Sequence, residues 1–146
     1  MDLDITKMTL NDLEIIKDIL LSDFDDFWTY EILKQELGCD NSYFLVAKTT
    51  DNEIVGFAGI KIIIDEADIM NIVTKKSFRN NGIGSLLLKT LIDYSKSSNL
   101  KTVTLEVNEH NLSAIKLYDK FNFDKIGIRK KYYEGKNDAV IMSKNL

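Results

Sequence analysis

Asn71-Ile72-Val73-Thr74-Lys75-Lys76-Ser77-Phe78-Arg79-Asn80-Asn81-Gly82-Ile83-Gly84-Ser85-Leu86-Leu87-Leu88-Lys89-Thr90-Leu91 joins two kinds of local order. The apolar run 69–73 reads as the end of a strand, and 74–77 as a polar turn. After Arg79-Asn80-Asn81-Gly82-Ile83-Gly84 a helix begins. Ile83, Leu87, Leu91 and Tyr94 fall on one stripe of it, and Ser85, Lys89, Asp93 and Lys96 on the other side. Strand, glycine loop and helix start form a layout that binds phosphates, because the first N–H groups of a helix lack intrahelical partners and carry partial positive charge. Gly82 and Gly84 allow a sharp turn and close approach, and Lys75, Lys76 and Arg79 add charge at the mouth. The same two glycines also suit a plain tight turn. No Gly-Lys-Ser/Thr follows, and there is no third glycine with an acidic residue after it, so neither a P-loop nor a dinucleotide fingerprint is present.

A chain of 146 residues makes one domain, 1–146, with room for a real core. Apolar residues at 45% and charged residues at 29% describe an ordinary globular protein. With 19 basic and 23 acidic residues the net charge is −4, which argues against nucleic acid as a direct partner. Cys39 is the single cysteine and fits a reducing, cytoplasmic setting. His110 is the single histidine, far from Cys39 in sequence, so no metal site is expected. The acidic start 1–4 does not read as a signal peptide, and no apolar run is long enough for a membrane helix.

Flanking elements follow from period and capping. Leu3 to Lys7 is a strand, and Thr9 with Asp12 makes a capping box for a helix carrying Leu13, Ile16, Ile19 and Leu20. An acidic, aromatic connection contains Asp23, Phe24, Asp25, Asp26, Phe27 and Trp28. Thr29 caps a short helix that Gly38 ends. Strands are expected at 43–48, 54–64 and up to Val73. After the central helix, 101–107 alternates apolar and polar residues, which makes a strand with one polar face. Asn111 caps a helix with Ala114, Leu117, Tyr118 and Phe121 on one stripe. Strands at 123–129 and 139–142 close the chain around a loop, 131–136. The order β-α-α-β-β-β-α-β-α-β-β packs as a mixed sheet with helices on both faces.

Glu106 lies near the carboxyl end of its strand, and Tyr118 on the helix that follows. A strand and the next helix can bring a carboxylate and a phenol toward one cleft. There the base would deprotonate an amine and the phenol would protonate a leaving thiolate. Position alone leaves other roles open: Tyr118 sits on an apolar stripe, Glu106 on a polar face, Asn111 at a cap, and Tyr132 and Tyr133 in a loop.

The order of elements and Arg79-x-x-Gly82-x-Gly84 resemble the GCN5-related N-acetyltransferases, which use acetyl-CoA. Further segments resemble the ribosomal-protein alanine N-acetyltransferases within that family. These are Asp65-Glu66-Ala67 leading to Asn71-Ile72, Leu105-Glu106-Val107, Asn111 through Leu117-Tyr118, Ile128-Arg129-Lys130-Lys131-Tyr132-Tyr133, and Asp138-Ala139-Val140-Ile141-Met142. The resemblance implies an α/β, mostly antiparallel sheet splayed between its fourth and fifth strands. It implies that Ile72, Val73 and Thr74 bind acetyl-CoA through the backbone, that Arg79, Asn80, Asn81, Gly82, Ile83, Gly84 and Ser85 cradle the pyrophosphate, and that Asn111 contacts the coenzyme. Glu106 matches the general base and Tyr118 the general acid. Trp28, Tyr132 and Tyr133 match residues of the peptide site. Asn80 stands where many relatives carry a basic residue, and the prolines common in relatives are absent. The implied acceptor is a protein N-terminus, foremost the N-terminal alanine of a small-subunit ribosomal protein. A small-amine or antibiotic acetyltransferase and a non-catalytic acyl-CoA-binding domain are the alternatives. Asp23, Asp25, Asp26 and Glu134 are expected to flank the acceptor groove.

Overall fold

The computed structural model describes residues 2–25 and 27–146; Asp26 of the acidic connection therefore lies outside the described residues. Among these residues, strands β1 (Leu3–Lys7), β2 (Ser42–Thr49), β3 (Ile54–Ile63), β4 (Glu66–Thr74), β5 (Thr102–Asn108), β6 (Asp124–Tyr133) and β7 (Asn137–Asn145) form one sheet in the order β1-β2-β3-β4-β5-β7-β6. Helices α1 (Leu10–Ile16), α2 (Tyr30–Leu37), α3 (Ile83–Ser97) and α4 (Leu112–Lys120) cover it. Every neighbouring pair is antiparallel except β4 and β5.

That parallel pair is short. It joins Glu66, Ala67, Asp68 and Ile69 to Thr102, Val103, Thr104 and Leu105, and both strands then continue unpaired. A bulge accompanies the parting: Gly59 of β3 faces Asn71, but Ile60 faces Ile69, so Met70 is the extra residue. One inserted residue reverses which side chains point to which face. Before it, Ala67 and Ile69 pack with Leu87, Leu88 and Leu91 of α3; after it, Ile72 takes the α3 side and Val73 joins Leu13, Ile16, Phe24 and Leu33 on the other face. Each fully buried leucine of α3 contributes about 1.5–3 kcal/mol by leaving water. Gly56 of β3 makes room for α3, since a Cβ there would sit 2.8 Å from Ile83 Cγ2.

The expected caps form. The Thr9 side chain accepts from the Asp12 N–H at 3.1 Å, and the Thr9 N–H donates to Asp12 Oδ2 at 2.9 Å. Thr29 and Asn111 cap α2 and α4. Gly38 ends α2, but at φ −80° rather than in the left-handed region. Two features differ from the expectation. After α1 the chain tightens into a 3-10 turn, Lys17–Ile19, and a π-helical turn, Leu20–Phe24, which buries Phe24. The loop expected at 131–136 is half strand: Lys131, Tyr132 and Tyr133 end β6, leaving 134–136 as the turn. Lys131 at φ 51° and a register irregularity before Tyr133 mark the kink, which the Lys131 N–H bond to Asp138 Oδ1 holds at 2.8 Å.

Asp12 is buried and 2.9 Å from Lys48 Nζ. Burial pushes its carboxyl up, but the Thr9 N–H and Lys48 pull it further down, to a net depression. A depressed carboxylate contributes stability that is present above its unfolded value of about 3.9 and lost as pH falls through the folded value. Asp12→Ala is therefore expected to cost about 1–3 kcal/mol near pH 7 in urea unfolding, with the gap to wild type closing toward pH 2. A pH-independent gap would show that the cap's geometry, not its charge, matters.

Candidate active site

A cleft of about 730 Å³ opens where β4 and β5 part. Its walls come from the end of β4 (Ile72, Val73, Thr74), the glycine loop and start of α3 (Lys76, Arg79, Asn80, Gly82, Ile83, Gly84, Ser85), and the start of α4 (Asn111, Ser113, Ala114, Leu117, Tyr118). The π-helical turn and the residue after it add Leu21, Phe24 and Asp25.

The backbone supplies most of the donors. The Lys75 N–H donates to Val55 O of β3 at 2.8 Å. N–H groups alternate sides along a strand, so those of Ile72 and Thr74 point away from β3, into the gap left by β5. At the other wall Gly82 precedes α3 at φ 76°, and no side chain caps this helix. Its first-turn N–H groups are left to face the cleft. Asn80 is also left-handed, at φ 66°, a conformation asparagine tolerates better than most residues. A Cβ on Gly82 would meet nothing within 4 Å; one on Gly84 would lie 3.6 Å from Leu117. Gly82 is thus required by backbone angle, and Gly84 keeps the floor between α3 and α4 open. Lys76 and Arg79 give this end a positive field. The donor set and charge suit a pyrophosphate.

Two residues expected at the mouth are engaged elsewhere. Lys75 Nζ pairs with Glu53 Oε2 at 2.9 Å. The Asn81 amide donates to the carbonyls of Phe78 and Arg79 at 3.0 and 3.2 Å, so its side chain shapes the loop rather than lining the cleft.

Tyr118 lines the α4 wall of the cleft, while Glu106, Tyr132 and Tyr133 lie outside its lining. Tyr118 is 7% exposed and packs on Phe123 with ring centroids 5.6 Å apart. Burial, then the neighbouring Tyr133, push its phenol up to about 12. Tyr133 is likewise pushed up to about 12, by burial and then by the Glu106 carboxylate. Tyr133 therefore sits within electrostatic reach of both Glu106 and Tyr118. The Glu106 side chain is 26% exposed and pairs with the Arg129 guanidinium at 2.9 Å. The same guanidinium lies over the Tyr132 ring at 4.8 Å. Aromatic rings run from here to the loop before α2: Tyr132 to Tyr133 at 5.0 Å, Tyr133 to Phe27 at 6.5 Å, and Phe27 to Trp28 at 5.9 Å.

Lys76, expected to add charge at the mouth, does line the cleft, whereas Phe27, Arg129, Ser113, Ala114 and Leu117 join the site without a site role having been assigned from the sequence. The signal for α4 was its Asn111 cap, which places the first helical turn against the cleft. Nothing local marked Arg129, because its partner Glu106 lies two strands away. Asp25 lines the cleft, where its Oδ1 accepts the Phe27 N–H at 2.8 Å.

Residues 13–123 match the model of the acetyltransferase (GNAT) family. The chain is 37% identical to the ribosomal protein bS18-alanine N-acetyltransferase of Haemophilus influenzae over 120 residues, 80% of each chain. It is 36% identical to that of Salmonella typhimurium over 104 residues, 69% of this chain and 70% of the other. The crystal structure of the ribosomal-protein-S18-alanine N-acetyltransferase from Escherichia coli superposes with a TM-score of 0.88 at 26% identity, covering 99% of this chain and 94% of that one. Ard1 from Thermoplasma volcanium shares the fold at a TM-score of 0.86 and 23% identity.

Phenols raised to about 12 keep their protons through the range where exposed tyrosines ionise. In an alkaline titration followed by phenolate absorbance, Tyr118→Phe is expected to leave the amplitude near pH ~10 intact and to remove amplitude near pH ~12. Loss of amplitude near 10 instead would place the phenol in solvent.

Proposed function

Because the chain belongs to the GNAT acetyltransferase family, we propose that it moves an acetyl group from acetyl-CoA to the α-amine of a protein N-terminus, that of a ribosomal protein beginning with alanine. One observation carries the reading. A single cleft has phosphate-binding chemistry at one end and the buried Tyr118 phenol on its α4 wall, and Tyr133 lies within electrostatic reach of both that phenol and the Glu106 carboxylate beside the splay. The relatives' acceptor supports a protein N-terminus, as does the aromatic wall of Trp28, Phe27, Tyr132 and Tyr133.

In this reading the first turn of α3, Arg79 and Lys76 hold the pyrophosphate. The Ile72 and Thr74 N–H groups receive the pantetheine arm and the thioester oxygen, and Asn111 and Ser113 contact the coenzyme from α4. Glu106 takes a proton from the α-ammonium, whose ordinary value near ~8 leaves most of it protonated at pH 7. The freed lone pair attacks the thioester carbon, and backbone N–H groups of β4 stabilise the oxyanion. As the C–S bond breaks, Tyr118 donates its proton to the sulfur, and the second proton that the nitrogen must lose to become an amide restores the phenol. A phenol held near 12 is a weaker acid than a thiol of ordinary value ~8.5, so the transfer is uphill on that value, and a hydrogen bond from the phenol meets the charge developing on sulfur before the proton moves. No covalent acetyl-enzyme is needed; Cys39 lies beyond the end of α2 and outside the cleft walls.

Incubation of ribosomal-protein N-terminal peptides with acetyl-CoA, read by mass spectrometry, tests the assignment: a gain of one acetyl group on the α-amine of the alanine peptide is expected. Acetylation of polyamines alone would move the protein to the small-amine class. Glu106→Gln and Tyr118→Phe should each lower kcat by about 10²–10⁴-fold with CoA affinity intact. Turnover within about threefold of wild type in both would reject these roles. Gly82→Val forces a branched side chain into the left-handed region, and Gly84→Val crowds Leu117. Both should weaken CoA binding more than Asn80→Ala in calorimetry of folded protein.

A further inference from the structure

Asn71 is 7% exposed, and neither its Nδ2 nor its Oδ1 has a hydrogen-bond partner. Buried polar atoms are almost always paired, and a bare carboxamide carries a desolvation penalty that nothing in the fold offsets. The only other such atom among the described residues, Thr102 Oγ1, lies at the far, paired end of β5.

The bulge decides where this carboxamide points. Asn71 follows the extra residue Met70 and shares a face with Val73, which lines the cleft. On β5, Val103, Leu105 and Val107 pack toward α3, so Glu106 points to the same face as Asn71. Leu105 is the last residue of β5 paired with β4. Asn71 and Glu106 therefore flank the start of the splay, one from each strand. On the other side of Asn71 its β3 partner is Gly59, whose missing side chain is replaced by the Phe44 ring; a Cβ there would lie 2.3 Å from that ring. An apolar wall thus stands on one side of the carboxamide and the proposed base on the other.

We propose that Asn71 binds the first residue of the acceptor, with Oδ1 accepting from the α-amine and Nδ2 donating to that residue's own carbonyl oxygen. The proposal rests on the N-terminal acetyltransferase reading above. Its chemistry is specific. An N-terminal residue presents an amine and a carbonyl one carbon apart, and a carboxamide offers an acceptor and a donor side by side. A polyamine or a lysine side chain has no carbonyl next to its amine and satisfies only half of the pair. Glu106 takes one ammonium proton and Asn71 Oδ1 accepts a hydrogen bond from another, so the neutral amine stays anchored while it turns its freed lone pair from Glu106 to the thioester. The unpaired carboxamide is shielded from solvent just behind the cleft lining, so engaging the acceptor includes a turn of this side chain toward the splay.

The test compares an alanine-first peptide with the same peptide carrying sulfur in place of its first carbonyl oxygen, a weaker acceptor. Both are assayed with wild type, Asn71→Leu and Asn71→Ala; the last cannot overpack the site. Wild type should prefer the oxygen peptide by about tenfold in kcat/KM, the scale of one hydrogen bond. Both variants should lose about tenfold or more on the oxygen peptide, mainly in KM, and treat the two peptides alike to within about twofold. CoA affinity should hold, and the melting temperature of Asn71→Leu should equal or exceed that of wild type. Variants with wild-type kcat/KM, or with an undiminished oxygen preference, would overturn the proposal. So would loss of folding or stability in both variants, which would mean that the carboxamide is bonded within the fold. Wild-type protein that acetylates polyamines but neither peptide would reject the acceptor class itself, and Asn71's role with it.

Discussion

The parting of β4 from β5 is the constraint on which the rest of the site depends. Parallel strands normally exchange hydrogen bonds along their whole overlap, because a buried N–H without a partner is costly. Here the exchange stops at Ile69 and Leu105, although both strands run on. The unpaired stretch becomes a slot in the sheet, with strand backbone along it and room for an extended molecule. Met70 contributes through the bulge, which re-aims every side chain after it. Without that extra residue Val73 would face α3, and Ile72 the opposite layer.

The two ends of the slot differ in charge for reasons built into the elements around it. Helix α3 starts without a side-chain cap, behind a left-handed glycine, with Lys76 and Arg79 beside it. An anion fits there. At the other end a strand carries Glu106, a helix carries Tyr118, and a hairpin brings Tyr133 within electrostatic reach of both. A cation fits there, as the Arg129 guanidinium already shows by pairing with Glu106. Family membership accords with this polarity, since acyl transfer from a phosphate-bearing thioester to an ammonium needs both ends. In the proposed reading the ammonium would compete with Arg129 for the Glu106 carboxylate, and the guanidinium also lies over the Tyr132 ring.

Structural strain and orphaned groups concentrate near the same place. Asn80 and Gly82 hold left-handed conformations in the loop, Lys131 and Glu134 do so at the hairpin, and Asn71 keeps a bare carboxamide. The layers away from the slot are ordinary: capped helices, alternating strands and two apolar cores. Most of the fold is organised for stability, and the slot departs from that rule where ligands would contact it.

Local rules reached far into this chain. The Thr9–Asp12 box, the Thr29 and Asn111 caps, the stripe from Ile83 to Leu91 and the alternation through Val103, Leu105 and Val107 are all interactions within a few residues, so their physics is written in neighbouring letters. Element order followed, and the glycine loop marked the cleft wall at Arg79, Asn80 and 82–85, while the wall at 72–74 came from the family resemblance. The hairpin was read too short, because Tyr132 and Tyr133 pair as strand only through the cross-strand hold of Asp138 on Lys131. Lys75 was read as a free charge, but Glu53, on the neighbouring β-hairpin, takes it up. The Arg129–Glu106 pair, the ring contact of Phe27 with Tyr133 and the face to which Asn71 points were beyond any local rule. Each depends on which strands become neighbours and on one inserted residue in β4, and both are settled only when the whole sheet closes its hydrogen bonds.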